Sequence, residues 1–217
     1  GTYQVYEEYD PTVKYIASFD TALGKGVGDN LAVLVWNTRN KTIAASYCAN
    51  DRPPEWVVDQ VVKPMHEQYK LKWIYVEENG VGHTTVLALK MSVPELPRKC
   101  FAATSETKLV GLTYARQWVE AGGSADRNLL LDCRDCHIKT TITGAETFDG
   151  RKDFLSAIGF IGFHRTQWET LSDIPDERPH ATLEQFDARD LYDPKYVNPN
   201  NMRKISSAAI RKLNRRF

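Results

Sequence analysis

Three short apolar runs open the pattern. Tyr15-Ile16-Ala17-Ser18-Phe19-Asp20 ends in a single carboxylate, Leu31–Trp36 follows, and Lys41–Tyr47 comes third. They predict strands near 15–20, 31–37 and 42–49, too apolar to alternate cleanly, as central strands covered on both faces are. Between the first two runs lies Thr21–Asn30, with glycines at 24, 26 and 28, which reads as the long turn of a hairpin. Residues 1–10 are read as an edge strand or a lead-in. Asp51-Arg52-Pro53-Pro54-Glu55 has the composition of a helix start, with Asp51 as N-cap and prolines in the first turn. Trp56, Val57, Val58, Val61, Val62 and Met65 continue at helical spacing, and Pro64 should kink or end that helix.

The pattern then alternates. Leu71–Glu77 is the next strand, broken by Gly80 and Gly82, and residues 83–90 are a short helix. Lys99–Ala103 is a fifth strand. Ser105 is placed to cap a helix carrying Leu109, Leu112, Ala115, Trp118 and Val119, which stops at Gly122-Gly123. Asn128–Asp132 and Ile138–Ile142 have strand-like composition, and Asp149-Gly150 reads as a turn. From Lys152 a strongly apolar segment, Phe154 to Phe163, predicts a helix buried nearly all round. An antiparallel meander feeding right-handed strand–helix–strand crossovers gives an α/β fold: a mixed sheet of five or more strands with helices on both faces. The domain is expected over residues 1–170. Residues 171–217, punctuated by prolines, are expected to form an extended arm with a basic end.

Composition bounds the function only loosely. The 217 residues suit one sizeable domain, and the formal net charge of zero argues neither for nor against a nucleic-acid partner. The distribution is uneven. Residues 169–193 are acid-rich, whereas Arg203, Lys204, Arg211, Lys212, Arg215 and Arg216 end the chain with no acid among them, a tail able to contact phosphate or an acidic partner. No run approaches membrane-spanning length, so no membrane partner is expected. Four cysteines form no disulfide framework, which suits a reducing setting. A first residue of Gly1 rather than Met suggests a piece of a longer protein.

Three acids stand at equivalent places. Asp20 ends the first strand, Glu77 ends the fourth, and Asp153 begins the last apolar helix. If those strands are neighbours, Asp20 and Glu77 lie side by side, and a first-turn Asp on a helix over the sheet completes a cluster. Such carboxylates repel unless a cation neutralises them, and oxygen-only ligands favour Mg²⁺ or Mn²⁺. Two ions sharing one carboxylate are the arrangement for phosphodiester hydrolysis, with Asp20 the best bridging ligand.

The motifs strand-Asp20-Thr21-Ala22 with its glycine loop, Glu77-Glu78-Asn79-Gly80-Val81-Gly82, and Lys152-Asp153-Phe154-Leu155-Ser156 together resemble the C-terminal nuclease domain of viral (tailed-bacteriophage) large terminase subunits. The resemblance covers residues 12–170, and the Glu-x-Asn-Gly-x-Gly motif is its most specific part. It implies an RNase H-like fold and metal-dependent cutting of double-stranded concatemeric DNA during genome packaging, at the procapsid portal in the infected host's cytoplasm. It also implies an N-terminal packaging ATPase domain, a portal and a small terminase subunit as partners. No phosphate-binding Gly-x4-Gly-Lys-Ser/Thr motif is present. The third motif departs from the family, with Lys152 and Ser156 where acids are often found, and Asp149 is the alternative third ligand. Asp29 is an auxiliary ligand candidate. Lys25, His83, Arg151 and Lys152 are candidates to flank a scissile phosphate, and Asn79 to shape its turn. Cys133-Arg134-Asp135-Cys136-His137 matches a haem-attachment pattern and could supply three zinc ligands, but a chance pair is the default. The competing classes are a resolvase- or transposase-like nuclease of the same fold, an actin-type ATPase, for which the chain is too short, and a non-catalytic binding module.

Overall fold

The computed structural model describes residues 1–22, 30–123, 127–140, 146–150 and 152–171. A six-stranded sheet has the order β1-β4-β3-β2-β5-β6. Its strands are β1 (Thr2–Val5), β2 (Tyr15–Asp20), β3 (Leu31–Asn37), β4 (Thr42–Ala49), β5 (Ile74–Glu77) and β6 (Arg98–Phe101). The meander β2-β3-β4 is antiparallel, and β1 adds an antiparallel edge on β4. β5 joins β2 in parallel, and β6 joins β5 in parallel, each after a helical crossover. The mixed sheet expected from the pattern is therefore present. A separate hairpin pairs β7 (His137–Thr140) with β8 (Glu146–Asp149).

Strand alternation sorts the apolar residues into two layers. Ala17 and Phe19, Val33 and Val35, and Ile74 and Val76 point into one core, closed by valines of the first helical segment and by Val86 and Leu89 of α3 (Gly82–Ser92). The opposite face carries Ser18, Trp36 and Tyr75. There α6 (Asp153–Phe163) lies over the sheet, with the Ser18 hydroxyl donating to the Ala157 carbonyl at 2.7 Å. Trp36 meets Trp118 of α4 (Ser105–Glu120) at 5.1 Å and Trp168 of α7 (Arg165–Trp168) at 6.1 Å between ring centroids.

Several local expectations are corrected. Pro53, not Asp51, is the N-cap of α1 (Pro54–Val57). Pro64 does not end the helix. A π-helical turn, Val58–Val62, intervenes before α2 (Lys63–Tyr69). A proline cannot donate to the carbonyl four residues back, and the wider turn shifts the ladder past it: the Lys63 N–H bonds the Val58 carbonyl. Thr104, not Ser105, caps α4, in a reciprocal box with Thr107. Asn128–Asp132 is helical, within α5 (Arg127–Asp135), because Leu129 and Asp132, three apart, face inward together while Leu130 is exposed. Residues 172–217, the expected arm, lie outside the described residues. Among the described residues no helix is long and apolar enough to cross a membrane.

Helices α4 and α6 touch backbone to backbone at Gly111 and Gly159. A Cβ on Gly159 would stand 2.8 Å from the Gly111 carbonyl carbon, and one on Gly111 would stand 2.7 Å from the Gly159 oxygen. Alanine improves helix propensity by about 1 kcal/mol, but overpacking a rigid backbone contact costs roughly 1–3 kcal/mol. Gly159→Ala is therefore expected to lower the urea midpoint; a midpoint at or above the parent's contradicts this packing.

Candidate active site

Parallel pairing sets the site. In the register Ser18 lies opposite Tyr75 and Phe19 opposite Val76, so the next residues on the two strands are Asp20 and Glu77. Both continue the face that carries Ser18 and Tyr75, the face covered by α6. Asp153, at the first position of α6, joins them as lining of one cleft of about 200 Å³, together with Asn30, Lys108, Lys152 and Ser156. Glu77 and Asp153 are buried, at 8% and 6% exposure, and Asp20 is partly exposed.

The turn after Glu77 explains its glycines. Gly80 has φ +54°, the left-handed region, where a side chain is strained. A Cβ on Gly82 would lie 1.7 Å from the Glu77 carbonyl oxygen, so α3 can start against the end of β5 only with glycine there. Asn79 folds back, its amide donating to Glu77 Oε1 at 3.0 Å and to the Ala103 carbonyl at 2.7 Å.

Each buried carboxylate is held by its own neighbours. Lys108 Nζ sits 3.0 Å from Glu77 Oε1. Asn30, just before β3, donates its backbone N–H at 3.0 Å and its side-chain amide at 2.8 Å to Asp153 Oδ2. Asp132 of α5, fully buried, accepts from the N–H groups of Phe154 at 2.6 Å and Leu155 at 3.2 Å. It thus satisfies two orphan donors of the α6 N-terminus from a remote element and fixes the turn that bears Asp153. Such a cap is worth about 1–2 kcal/mol. Lys108, Asn30, Asp132 and Ser156 were missed as site residues in the sequence. Asn30 carried a faint signal as the last polar residue of the glycine loop. Asp132 was hidden by reading its segment as a strand.

The electrostatics are those of crowded anions. Burial, and then the charges of Asp153 and Glu77, hold the Asp20 carboxyl well above its ordinary pKa, while Lys108 and a Ser156 hydrogen bond act in the opposite direction. Among the described residues no three His, Cys, Asp or Glu side chains already close on a single point. Asn30 satisfies Asp153, and Asn79 and Lys108 satisfy Glu77. The donor set nevertheless fits a hard divalent cation: oxygen only, anionic, and on three separate rigid elements.

The remaining sequence candidates are scattered. Lys152 precedes α6 and lines the cleft. His83 is exposed in the first turn of α3 and is not among the lining residues. Asp149, at the end of β8, does not line the cleft either. It pairs with Lys139 at 3.2 Å, and its carboxyl is held below its ordinary range by the Gly150 N–H and by Lys139. Lys25, Asp29 and Arg151 lie outside the described residues. Cys133 and Cys136 are free thiols whose pKa values burial pushes up to about 11.

No protein-family model matches the chain, and no curated protein matches it. Solved structures do. The large terminase nuclease from thermophilic phage G20c, in its magnesium-bound form, superposes with a TM-score of 0.65 at 18% identity, over 76% of this chain and 88% of that one. Its cobalt-bound form gives 0.64 over the same shares. The large terminase nuclease domain of Thermus phage P74-26 gives 0.60 at 17% identity, over 74% and 84%. The fold is that of a large terminase nuclease. The RNase H-like, mixed α/β architecture expected from the sequence is thus present in the terminase form.

The raised pKa of Asp20 has a signed consequence. Below the ordinary carboxyl range, near pH 4, Asp20 is protonated whether the chain is folded or not. As pH rises the unfolded chain ionises first, so stability is lost up to the raised folded pKa. In EDTA the thermal midpoint of Asp20→Asn minus that of the parent should therefore grow as pH rises from 4 to 8. A difference independent of pH counts against the crowded carboxylates.

Proposed function

We propose that this chain is a metal-dependent endonuclease that cleaves double-stranded, concatemeric viral DNA during genome packaging, with little sequence preference. The observation that carries the reading is the convergence of Asp20, Glu77 and Asp153 from two strand ends and a helix start on one cleft. The terminase fold adds its weight, since a phage G20c nuclease of that fold has been crystallised with magnesium and with cobalt.

In this reading Asp20 is the shared ligand, with Glu77 and Asp153 as its partners. A pair of Mg²⁺ or Mn²⁺ ions held there would supply an activated water and charge neutralisation at the leaving 3′ oxygen. The protein's own groups do the positioning. Asn30 orients Asp153, Asn79 orients Glu77, and Asp132 fixes the α6 turn beneath them. Lys152, at the cleft, is placed to meet a backbone phosphate, with Lys25 and Arg151 assigned the same role from sequence. The proposed setting is the host cytoplasm at the procapsid portal, where an N-terminal packaging ATPase domain and the small terminase subunit work with the nuclease.

Plasmid digestion tests this directly. Supercoiled DNA should be nicked and linearised with Mn²⁺, and cutting should stop in EDTA. Asp20→Ala should lose at least about 100-fold in rate, comparable to deleting a preorganised charge-stabilising group. Undiminished cutting by Asp20→Ala overturns the site assignment. No cutting with any divalent metal turns the reading to a DNA-binding module.

A further inference from the structure

Lys108 belongs to none of the sequence motifs, yet it holds a central place in the cleft. The reciprocal box of Thr104 and Thr107 fixes the first turn of α4, and the Lys108 N–H bonds the Thr104 carbonyl at 3.0 Å. From that anchored backbone the side chain reaches the cleft, its ammonium 3.0 Å from Glu77 Oε1. The two partners differ in freedom: the Glu77 side chain is 10% exposed and that of Lys108 is 48% exposed. The carboxylate is fixed by β5 and by the Asn79 amide, which donates to the same Oε1 at 3.0 Å. The lysine ends a long flexible stem with half its surface in solvent.

This geometry is an obstacle to any cation that takes Glu77 Oε1. Glu77 Oε1 already has two donors, and one of them is positively charged. A divalent ion cannot share that oxygen with an ammonium without strong repulsion at contact distance. The ammonium must then move, and it stays tethered within reach of whatever anion enters next.

Building on the metal-dependent nuclease reading, we propose that Lys108 is a tethered counter-ion that occupies Glu77 in the ion-free site and turns to a phosphate of bound DNA when a divalent ion takes that carboxylate. The exchange keeps the cleft's charge nearly balanced in both states. Without ions, Lys108 offsets part of the repulsion among Asp20, Glu77 and Asp153. With ions and DNA, its charge passes to the new anion. A lysine suits the role better than an arginine would, because its compact head and flexible stem make one transferable contact rather than a bidentate clamp. Lys108 thereby acts twice, as a competitor that sets how tightly the site takes metal and as a DNA contact.

The test uses Lys108→Met, which keeps the stem and helix propensity, and Lys108→Arg, which keeps the charge. Mn²⁺ is titrated into DNA-free protein by calorimetry, with circular dichroism confirming the fold. Lys108→Met should bind Mn²⁺ roughly tenfold more tightly, the scale expected for removing one competing charge at a half-exposed site, and Lys108→Arg should stay near the parent. Equal or weaker binding by Lys108→Met overturns the proposal alone. No Mn²⁺ binding by the folded parent removes the metal reading itself, and the proposal with it. In Ca²⁺, binding of a short DNA duplex should weaken in Lys108→Met, and the slope of log affinity against log salt should fall by about one. An unchanged slope overturns the exchange.

Discussion

Parallel pairing of β2 with β5 is the constraint on which the rest depends. It places Phe19 opposite Val76, and so brings Asp20 and Glu77 to adjacent strand ends on one face. A slip of one residue would turn the apolar partners outward and send one carboxylate into the opposite core. Register is therefore protected by the buried apolar residues, and the carboxylates inherit that precision. Their mutual repulsion is a local cost carried by a sheet that is apolar on both sides.

Helix α6 completes the arrangement through three different contacts. Gly159 lets it lie against Gly111 of α4 at backbone distance, the Ser18 hydroxyl ties it to β2, and Asp132 caps its first turn from α5. Together they fix its height, its rotation and its start. The position of Asp153 is set by packing some distance from the cleft as much as by Asn30 beside it. A perturbation at the α4–α6 contact would thus be felt at the carboxylates.

The sheet was legible because its signals are local. Long apolar runs, glycine turns and proline boundaries mark β2 to β6, and the placement of Asp20, Glu77 and Asp153 at element ends could be read from them. What was not legible depends on contacts between distant segments. Asp132 looked like the end of a strand because Leu129–Leu131 is apolar without clear period; its helical role appears only once α6 lies beside it. Lys108 belongs to no sequence motif, and its role depends on α4 bringing it to Glu77 of β5. Pro64 was read as kinking or ending its helix because a wide helical turn has no signature in composition. Asp149 and His83 stood close in sequence to the motifs, but the hairpin and the first turn of α3 carry them clear of the cleft lining.

The central claim is that the three acids form one ion-binding centre. Crystals soaked in Mn²⁺ and measured for anomalous scattering test it most directly. The account predicts manganese peaks within ligand distance, about 2.0–2.3 Å, of carboxylate oxygens of Asp20, Glu77 and Asp153, with the Lys108 ammonium withdrawn from Glu77. Manganese bound elsewhere, with Asp153 still held by Asn30 and Glu77 by Asn79 and Lys108, would contradict it.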